Sequence, residues 1–308
     1  MQRPQPHPHL HIAPADWWTS FLVMVRSAEE QQRARVLIES LRTFGGPLSG
    51  CPVWVLVPDT ADVLPTLQDL GEVILFPFEV AANLQATYFS AKVSACAVAE
   101  SEAPRGVRSL VWLDPCTLIL QPPYQLDLTG AVAAFRPVHI RNVGSLASEP
   151  LDPYWTGIYR AVGLEAVRQE VESFVDGQRL RPYYNTHVFA WDPSSGLATR
   201  WLDSFRALAT DRSFRDGPCQ DELHHIFLHQ AVLSALVTRH LAPEQVRLLP
   251  PDYNYPLHLH QRVPPERRTL SLGRLVTPVY EEHFPSPDTL GDIQIEEPLS
   301  AWLASRHS

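Results

Sequence analysis

The sequence predicts an α/β protein, a single large domain with a mixed, mostly parallel sheet flanked by helices. Two observations support this prediction of the fold class. Short apolar runs alternate with helical patterns through the first half of the chain, which favours parallel strands joined by helical crossovers. The length of 308 residues and the 45% apolar content are enough for one large domain or two small ones.

Three apolar runs of strand length open the chain, at 21–25, 53–57 and 73–76. A helical pattern follows the first run and continues through Arg42, where Gly and Pro residues end it. A more weakly marked helix is expected over about 61–70. These elements form successive βα units.

The central element is the run Leu110–Leu120, which one aspartate and one proline interrupt. An unbroken apolar strand is typical of a parallel sheet buried on both faces, and Pro115 ends it because proline cannot donate to the ladder. Asp114 therefore lies at the carboxyl end of the strand, where open α/β sheets bind ligands. The alternative is that Asp114 only makes a local turn with backbone donors.

The second half predicts a further strand at 131–135 and then an excursion over 136–175 without strand character, which is typical of acceptor or lid structure. Amphipathic helices follow at 201–209 and 221–236, and a short one at 299–305. We expect a flexible tail at 1–17, the main domain at 18–285 and a C-terminal cap at 286–308.

The central run resembles the Asp-x-Asp region of GT-A-fold glycosyltransferases. There the first acidic residue faces the sugar nucleotide and the last holds a divalent cation. Asp114 matches the first position, and Cys116 stands at the last. The resemblance spans about residues 20–285 and implies a nucleotide diphosphate sugar as donor, with Asp114 as a catalytic residue. The motif is thus a degenerate one.

Two later segments add to the resemblance. The stretch 183–193 is similar to the strand motif whose asparagine contacts the sugar, and Asn185 matches that asparagine. His187 falls where glycine is common, and we interpret it as a half-buried core histidine. The stretch 227–233 resembles the Asp-Gln helix of the same superfamily, with Gln230 matching and His229 in place of the aspartate. Gln230 is a candidate ligand-binding residue, and His229 is a candidate base if it faces the cleft.

Two cationic residues are candidate binders of the donor. Arg26 lies in the turn after the first strand, where related enzymes approach the base and ribose, although a surface charge at a helix start explains it equally well. Lys92 lies on the helix before the central strand and is the lone lysine of the chain. Its compact charge suits a phosphate group, whereas a solvated helical lysine is the ordinary alternative.

A Mn²⁺ or Mg²⁺ ion is the cofactor that the resemblance implies. Such hard cations prefer oxygen ligands, so a thiolate at Cys116 is a poor partner for them. Asp114 would then need to be joined by His258, His260 or a glutamate from elsewhere, and the two histidines alternate and share one side of an extended chain. Otherwise cationic side chains such as Lys92 replace the ion.

Composition excludes several classes of protein. A formal charge of −9 without a basic cluster argues against nucleic-acid binding. The four cysteines form no Cys-x-x-Cys pair, so neither a zinc site nor a disulfide framework is indicated. No apolar segment is long enough to be a transmembrane segment, and a cytoplasmic protein is expected.

Three functions remain open. The first is a glycosyltransferase that moves a sugar to an unknown acceptor. The second is a catalytically inactive relative that binds a sugar nucleotide or acts as a scaffold. The third is a nucleotidyltransferase, which shares the sheet architecture, but the sequence lacks a glycine-rich loop near the first strand.

Overall fold

The computed structural model describes residues 18–167 and 169–306, so the predicted tail at 1–17 lies outside the described residues. The strands are β1 (Thr19–Met24), β2 (Val53–Pro58), β3 (Val73–Phe78), β4 (Ser109–Leu113), β5 (Ala133–Phe135), β6 (Val171–Glu172), β7 (Arg179–Leu180), β8 (Val188–Trp191), β9 (Val246–Leu248), β10 (Tyr253–Pro256) and β11 (Thr277–Val279). The helices are α1 (Ala28–Phe44), α2 (Ser90–Glu102), α3 (Pro153–Val162), α4 (Leu197–Thr210), α5 (Arg212–Arg215), α6 (Glu222–His240), α7 (Pro287–Leu290) and α8 (Leu299–Ala304).

A seven-stranded sheet forms the centre, in the order β3-β2-β1-β4-β8-β5-β9. Strands β1 to β4 run parallel, and β5 pairs in parallel with β9. Strand β8 runs antiparallel to both of its neighbours, β4 and β5. The predicted mixed, mostly parallel sheet is therefore confirmed.

Helices cover both faces of this sheet, which explains why β1, β2 and β4 are buried along their whole length. On one face, Leu22, Trp54 and Trp112 pack in the same core cluster as α2, α3, α4 and α6. On the other face, Phe21 and Val53 pack with the apolar side of α1. The side chains of successive strand residues thus pack against helices on opposite faces of the sheet.

The topology places the functional edge of the sheet. Strand β4 ends at Leu113, so Asp114 directly follows it, as predicted. Because β8 is antiparallel, its first residue, Val188, pairs with Leu113. The backbone N–H of Asp114 donates to the carbonyl of His187 at 2.9 Å. The segment before β8 therefore meets the carboxyl ends of β1, β2 and β4 at one edge.

One predicted helix is absent. Residues 61–70, expected to be helical, are mostly irregular and contain only a short 3₁₀ turn at Gln68–Leu70. Pro65 lies in the middle of the stretch, where it lacks the N–H that a helix interior requires and disfavours helical backbone at Leu64. The connection from β2 to β3 is therefore a loop.

The C-terminal region packs on the sheet's functional edge. Strands β10 and β11 pair with each other, and Leu118 and Leu120 donate backbone hydrogen bonds to residues of the β11 region. Leu299 and Leu303 of α8 are buried in a core cluster that also contains Leu118. The boundary at 285 stays a prediction. Within the described ranges, no helix has the length and apolar character needed to cross a membrane.

Candidate active site

A cleft with a volume of about 280 Å³ opens at the carboxyl edge of the sheet. Arg26 follows β1, Thr60 follows β2, and Asp114 and Cys116 follow β4. The start of α2 contributes the facing wall, including Phe89 and Lys92. The cleft thus lies where parallel strands of open α/β sheets present their loops to ligands.

Two neighbouring side chains bind the carboxylate of Asp114 in the cleft. Its Oδ1 accepts a hydrogen bond from the indole Nε1 of Trp112 at 2.7 Å. The ammonium of Lys92 lies 2.7 Å from Oδ1 and 2.9 Å from Oδ2. The carboxylate is therefore held by side chains and does not make the local turn considered as an alternative.

Lys92 is buried, with a side chain only 3% exposed. It lies on α2 among the buried residues Val93, Ala95 and Cys96, and its ammonium also donates to the carbonyl of Thr186 at 2.9 Å. A buried ammonium without partners is costly, and here Asp114 and one carbonyl satisfy it. Lys92 thus joins α2, β4 and the segment before β8 at a single point.

The residues around Asp114 do not fit a divalent cation. Both carboxylate oxygens already contact the ammonium of Lys92. Burial, followed by the nearby charge of Asp114, raises the pKa of Cys116 to about 12, so at neutral pH it is a protonated thiol. Across residues 18–167 and 169–306, no three His, Cys, Asp or Glu side chains are grouped so that they would hold a metal ion.

His187 lies beside Asp114 at the edge of the cleft and not in the apolar core. Its side chain is 26% exposed, and its Nε2 lies 3.7 Å from Asp114 Oδ2 and 3.4 Å from Glu281 Oε1. The Glu281 carboxylate also lies 3.6 Å from Nε2 of His258. The interpretation of His187 as a half-buried core histidine was therefore wrong about its surroundings, because its imidazole is set between two carboxylates.

Asn185 shapes the segment that carries His187. Its Oδ1 accepts from the backbone N–H of His187 at 2.8 Å and from Nδ2 of Asn254 at 2.9 Å. Asn185 is buried, with both partners within the protein. It therefore fixes the turn into β8 and, through it, the position of His187. Its predicted contact with a sugar stays a prediction.

The sequence was then compared with known protein families. Residues 21–240 match the sequence profile described as the Rhodobacterales glycosyltransferase domain. The match covers more than half of the chain and includes the main sheet apart from β9 and the first two residues of β1, together with Lys92, Asp114 and His187. The chain belongs to this glycosyltransferase family. The predicted glycosyltransferase recognition and function are confirmed at that level.

One solved glycosyltransferase structure supports the fold of this chain. The structure of the bifunctional glycosyltransferase WbbM superposes with a TM-score of 0.53 at 12% identity, over 96% of this chain and 53% of WbbM. The chain thus spans about half of the length of WbbM. Mouse xyloside xylosyltransferase 1 gives a TM-score of 0.46 at 14% identity, over 87% of this chain and 99% of the mouse chain. A comparison with curated protein sequences gave no match.

The glycosyltransferase buries His229 and Gln230 on α6. The Nε2 of His229 lies 3.0 Å from the hydroxyl of Thr186, and its Nδ1 lies 2.9 Å from the carbonyl of Ile226. Burial, with the charge of Lys92, lowers the pKa of His229 well below its usual value. Gln230 lies beside the buried phenol of Tyr183. This geometry disfavours His229 as a base, because neither ring nitrogen is free.

His258 and His260 do not share one side, contrary to the expectation for an extended chain. Both lie in a 3₁₀ helix at Leu257–Arg262, where residues two apart point in different directions. His260 is buried, with its ring nitrogens 2.7 Å from the Tyr255 hydroxyl and 3.1 Å from Asp292. His258 instead faces Glu281. The structure therefore does not bring the two histidines to Asp114 as one ligand set.

Arg26 lies in the cleft of the glycosyltransferase, as expected for a donor-binding residue, and pairs with Glu30 four residues on. The hydrogen bond that Arg26 donates to Glu30 raises the pKa of Arg26 further above its usual value. Arg33, which the sequence gave no reason to select, also lines the cleft and pairs with Glu29 at 2.6 Å. Three cationic and two anionic side chains therefore line the cleft, leaving it with a positive balance.

Proposed function

We propose that this glycosyltransferase takes its sugar from a nucleotide diphosphate sugar that binds in the cleft without a divalent metal ion. The observation that carries the proposal is the buried pair of Lys92 and Asp114 at the carboxyl end of β4. An unpaired carboxylate would repel an anionic donor. Because the ammonium lies against both oxygens, Asp114 is neutralised where a metal-dependent enzyme would use a cation.

The diphosphate needs countercharge of its own, and two arginines supply it. Arg26 and Arg33 line the cleft, where Arg26 pairs with Glu30, which is 20% exposed, and Arg33 pairs with Glu29, which is 70% exposed. An ion pair with an exposed carboxylate is weak, so a diphosphate can replace Glu29 at little cost. A guanidinium also binds two phosphate oxygens at once. The first residues of α2, which also line the cleft, bring the positive end of the helix dipole.

The acceptor hydroxyl is activated by His187, whose Nε2 lies between the carboxylates of Asp114 and Glu281. In this step the hydroxyl proton passes to Nε2 of His187 as the acceptor oxygen forms its bond to the anomeric carbon. The bond from that carbon to the diphosphate oxygen breaks, and its electron pair leaves with the diphosphate. Glu281, 3.4 Å from the same nitrogen, stabilises the imidazolium that results.

Isothermal titration against a panel of nucleotide diphosphate sugars tests the donor and the metal together. Each donor is titrated into protein in EDTA and into protein with added Mn²⁺. We expect at least one donor to bind, with a Kd that changes less than about twofold between the two conditions, since tenfold is worth about 1.4 kcal/mol. Binding that appears only with Mn²⁺ would refute the metal-free proposal, and no binding would refute the donor class.

A non-catalytic sugar-nucleotide-binding protein is the second candidate, favoured by the engagement of both Asp114 oxygens. Hydrolysis of a bound donor separates the two, because turnover needs an active centre. For the transferase, His187→Ala lowers donor turnover by roughly 10²- to 10⁴-fold, the usual contribution of a general base, with an unchanged donor Kd. The control His240→Ala changes an exposed histidine at the end of α6. Absence of turnover in the wild type for every donor that binds would leave the binding role.

A further inference from the structure

Phe89 holds a backbone conformation that a bulky side chain rarely adopts. Its φ is +60° and its ψ is +10°, in the left-handed region, at the residue that directly precedes α2. The other non-glycine residues with positive φ among the described residues are Asn142 and Asn254, and asparagine tolerates this region. Strain of this kind concentrates at functional sites. The strain at Phe89 therefore indicates a role beyond helix initiation.

The strained backbone places an aromatic ring in the cleft. Phe89 is 41% exposed and lines the cleft beside Lys92 and Asp114. One side of its ring stacks on His229, with centroids 4.1 Å apart and planes 23° from parallel. Because His229 is buried and neutral, it supports the ring without adding charge. Phe89 thus covers His229 and presents an apolar surface to the cleft.

The order of strands across the sheet shows which end of the cleft Phe89 serves. Thr60 follows β2, Arg26 follows β1, Asp114 follows β4, and β8 comes next. The Phe89 ring lies 5.6 Å from the ammonium of Lys92, which is bound to Asp114. Its partner His229 contacts Thr186, which precedes β8. The ring therefore lies at the β4 and β8 end, away from the loops after β1 and β2.

We propose that Phe89 is a specificity-determining residue whose ring stacks against the apolar C–H face of the donor's pyranose. The inference rests on the proposed donor and adds the part of it that Phe89 recognises. In that arrangement the base and ribose lie toward β1 and β2, and the sugar lies between Phe89 and His187. A flat ring matches the C–H face of a pyranose and excludes water from the reacting carbon, whereas a diphosphate gains nothing from it.

Titration of a donor and of its matching nucleoside diphosphate, lacking the sugar, tests the assignment. Phe89→Leu keeps an apolar side chain and removes the flat face. We expect it to weaken donor binding by roughly three- to tenfold, the usual worth of an aromatic contact, and to leave the nucleoside diphosphate within about twofold. Phe89→Tyr restores donor affinity. The control Tyr88→Leu alters the neighbouring exposed aromatic residue, whose hydroxyl bonds Glu222, and leaves both affinities unchanged.

Three results would overturn the assignment. Equal losses for the donor and the nucleoside diphosphate would place the ring against the base. No loss for either ligand would mean that the ring touches no part of the donor. If no sugar nucleotide binds the wild type, the proposed donor fails and this inference fails with it. Should Phe89→Leu unfold, Phe89→Asn gives the same comparison, because asparagine accepts the left-handed backbone and lacks the ring.

Discussion

Replacing Lys92 by methionine is a perturbation with a large expected effect on stability. Methionine has a similar length but no charge, so the carboxylate of Asp114 loses the ammonium 2.7 Å away. The carboxylate is only 13% exposed, so water replaces the lost cation poorly. The carbonyl of Thr186 loses its donor in the same change. The variant therefore leaves a buried charge and an unpaired carbonyl.

The expected loss of stability follows from the burial of the Asp114 carboxylate. Breaking a buried ion pair by removing one partner costs about 3–5 kcal/mol. Because Asp114 keeps some exposure and its bond to Trp112, we expect the lower end, about 3 kcal/mol. A change of this size lowers the Tm by roughly 6–12 °C, scaling from proteins slightly smaller than this one.

Urea unfolding of a double-mutant cycle measures the interaction itself. The cycle combines Lys92→Met with Asp114→Asn, which keeps an oxygen for Trp112 and removes the charge. We expect the double variant to be more stable than the sum of the single losses predicts, by about 2–3 kcal/mol, because neither charge is then left alone. Additive losses, within about 0.5 kcal/mol, would refute the buried pair. Arg179→Met breaks the exposed pair with Glu170 and should cost less than about 1 kcal/mol.

Three further predictions concern other buried groups. Glu100→Ala removes the carboxylate that accepts hydrogen bonds from the indole of Trp191 in β8 and from two backbone N–H groups at the start of α4. The free energy of unfolding, measured in urea, should fall by about 3 kcal/mol. The exposed control Glu102→Ala should change it little. The lowered pKa of His229 gives stability that is present above pH 6.5 and is lost as the pH falls, because the unfolded state then binds the extra proton. Between pH 7.5 and 5, the free energy of unfolding of His229→Gln should therefore depend less on pH than that of the wild type, by up to about 1.4 kcal/mol per pH unit. The exposed control His283→Gln should match the wild type. With its pKa near 12, the thiol of Cys116 should react with iodoacetamide at pH 8 roughly a thousandfold more slowly than a free cysteine; an ordinary rate would contradict the raised pKa.

Local patterns predicted the strands that matter most. The unbroken apolar runs at 21–25, 53–57 and 110–113 are buried strands of the main sheet, because residues covered on both faces have little freedom to be polar. The same pattern placed Asp114 at the carboxyl end of β4. It failed at 61–70, where apolar spacing suggested a helix and Pro65 interrupts it.

Motif order also selected Lys92, Arg26 and Asn185, but it gave only their positions in the chain. It did not show that Lys92 would reach Asp114, 22 residues later, or that Phe89 would cover His229. No local signal marked Arg33. Nothing near Glu281 indicated that its carboxylate would meet His187, because that contact joins segments almost a hundred residues apart.

The sequence by itself determined the buried strands, the end of β4 and the residue types available there. Hydrophobic periodicity and the residues that end a strand are local features, so they can be recognised in the sequence without knowledge of the fold. The tertiary structure decided the partners of each charge: Lys92 with Asp114, Glu281 with His187, and His260 with Asp292. Burial and distance set whether a charged side chain is neutralised or left for a ligand, and both exist only after the chain has packed.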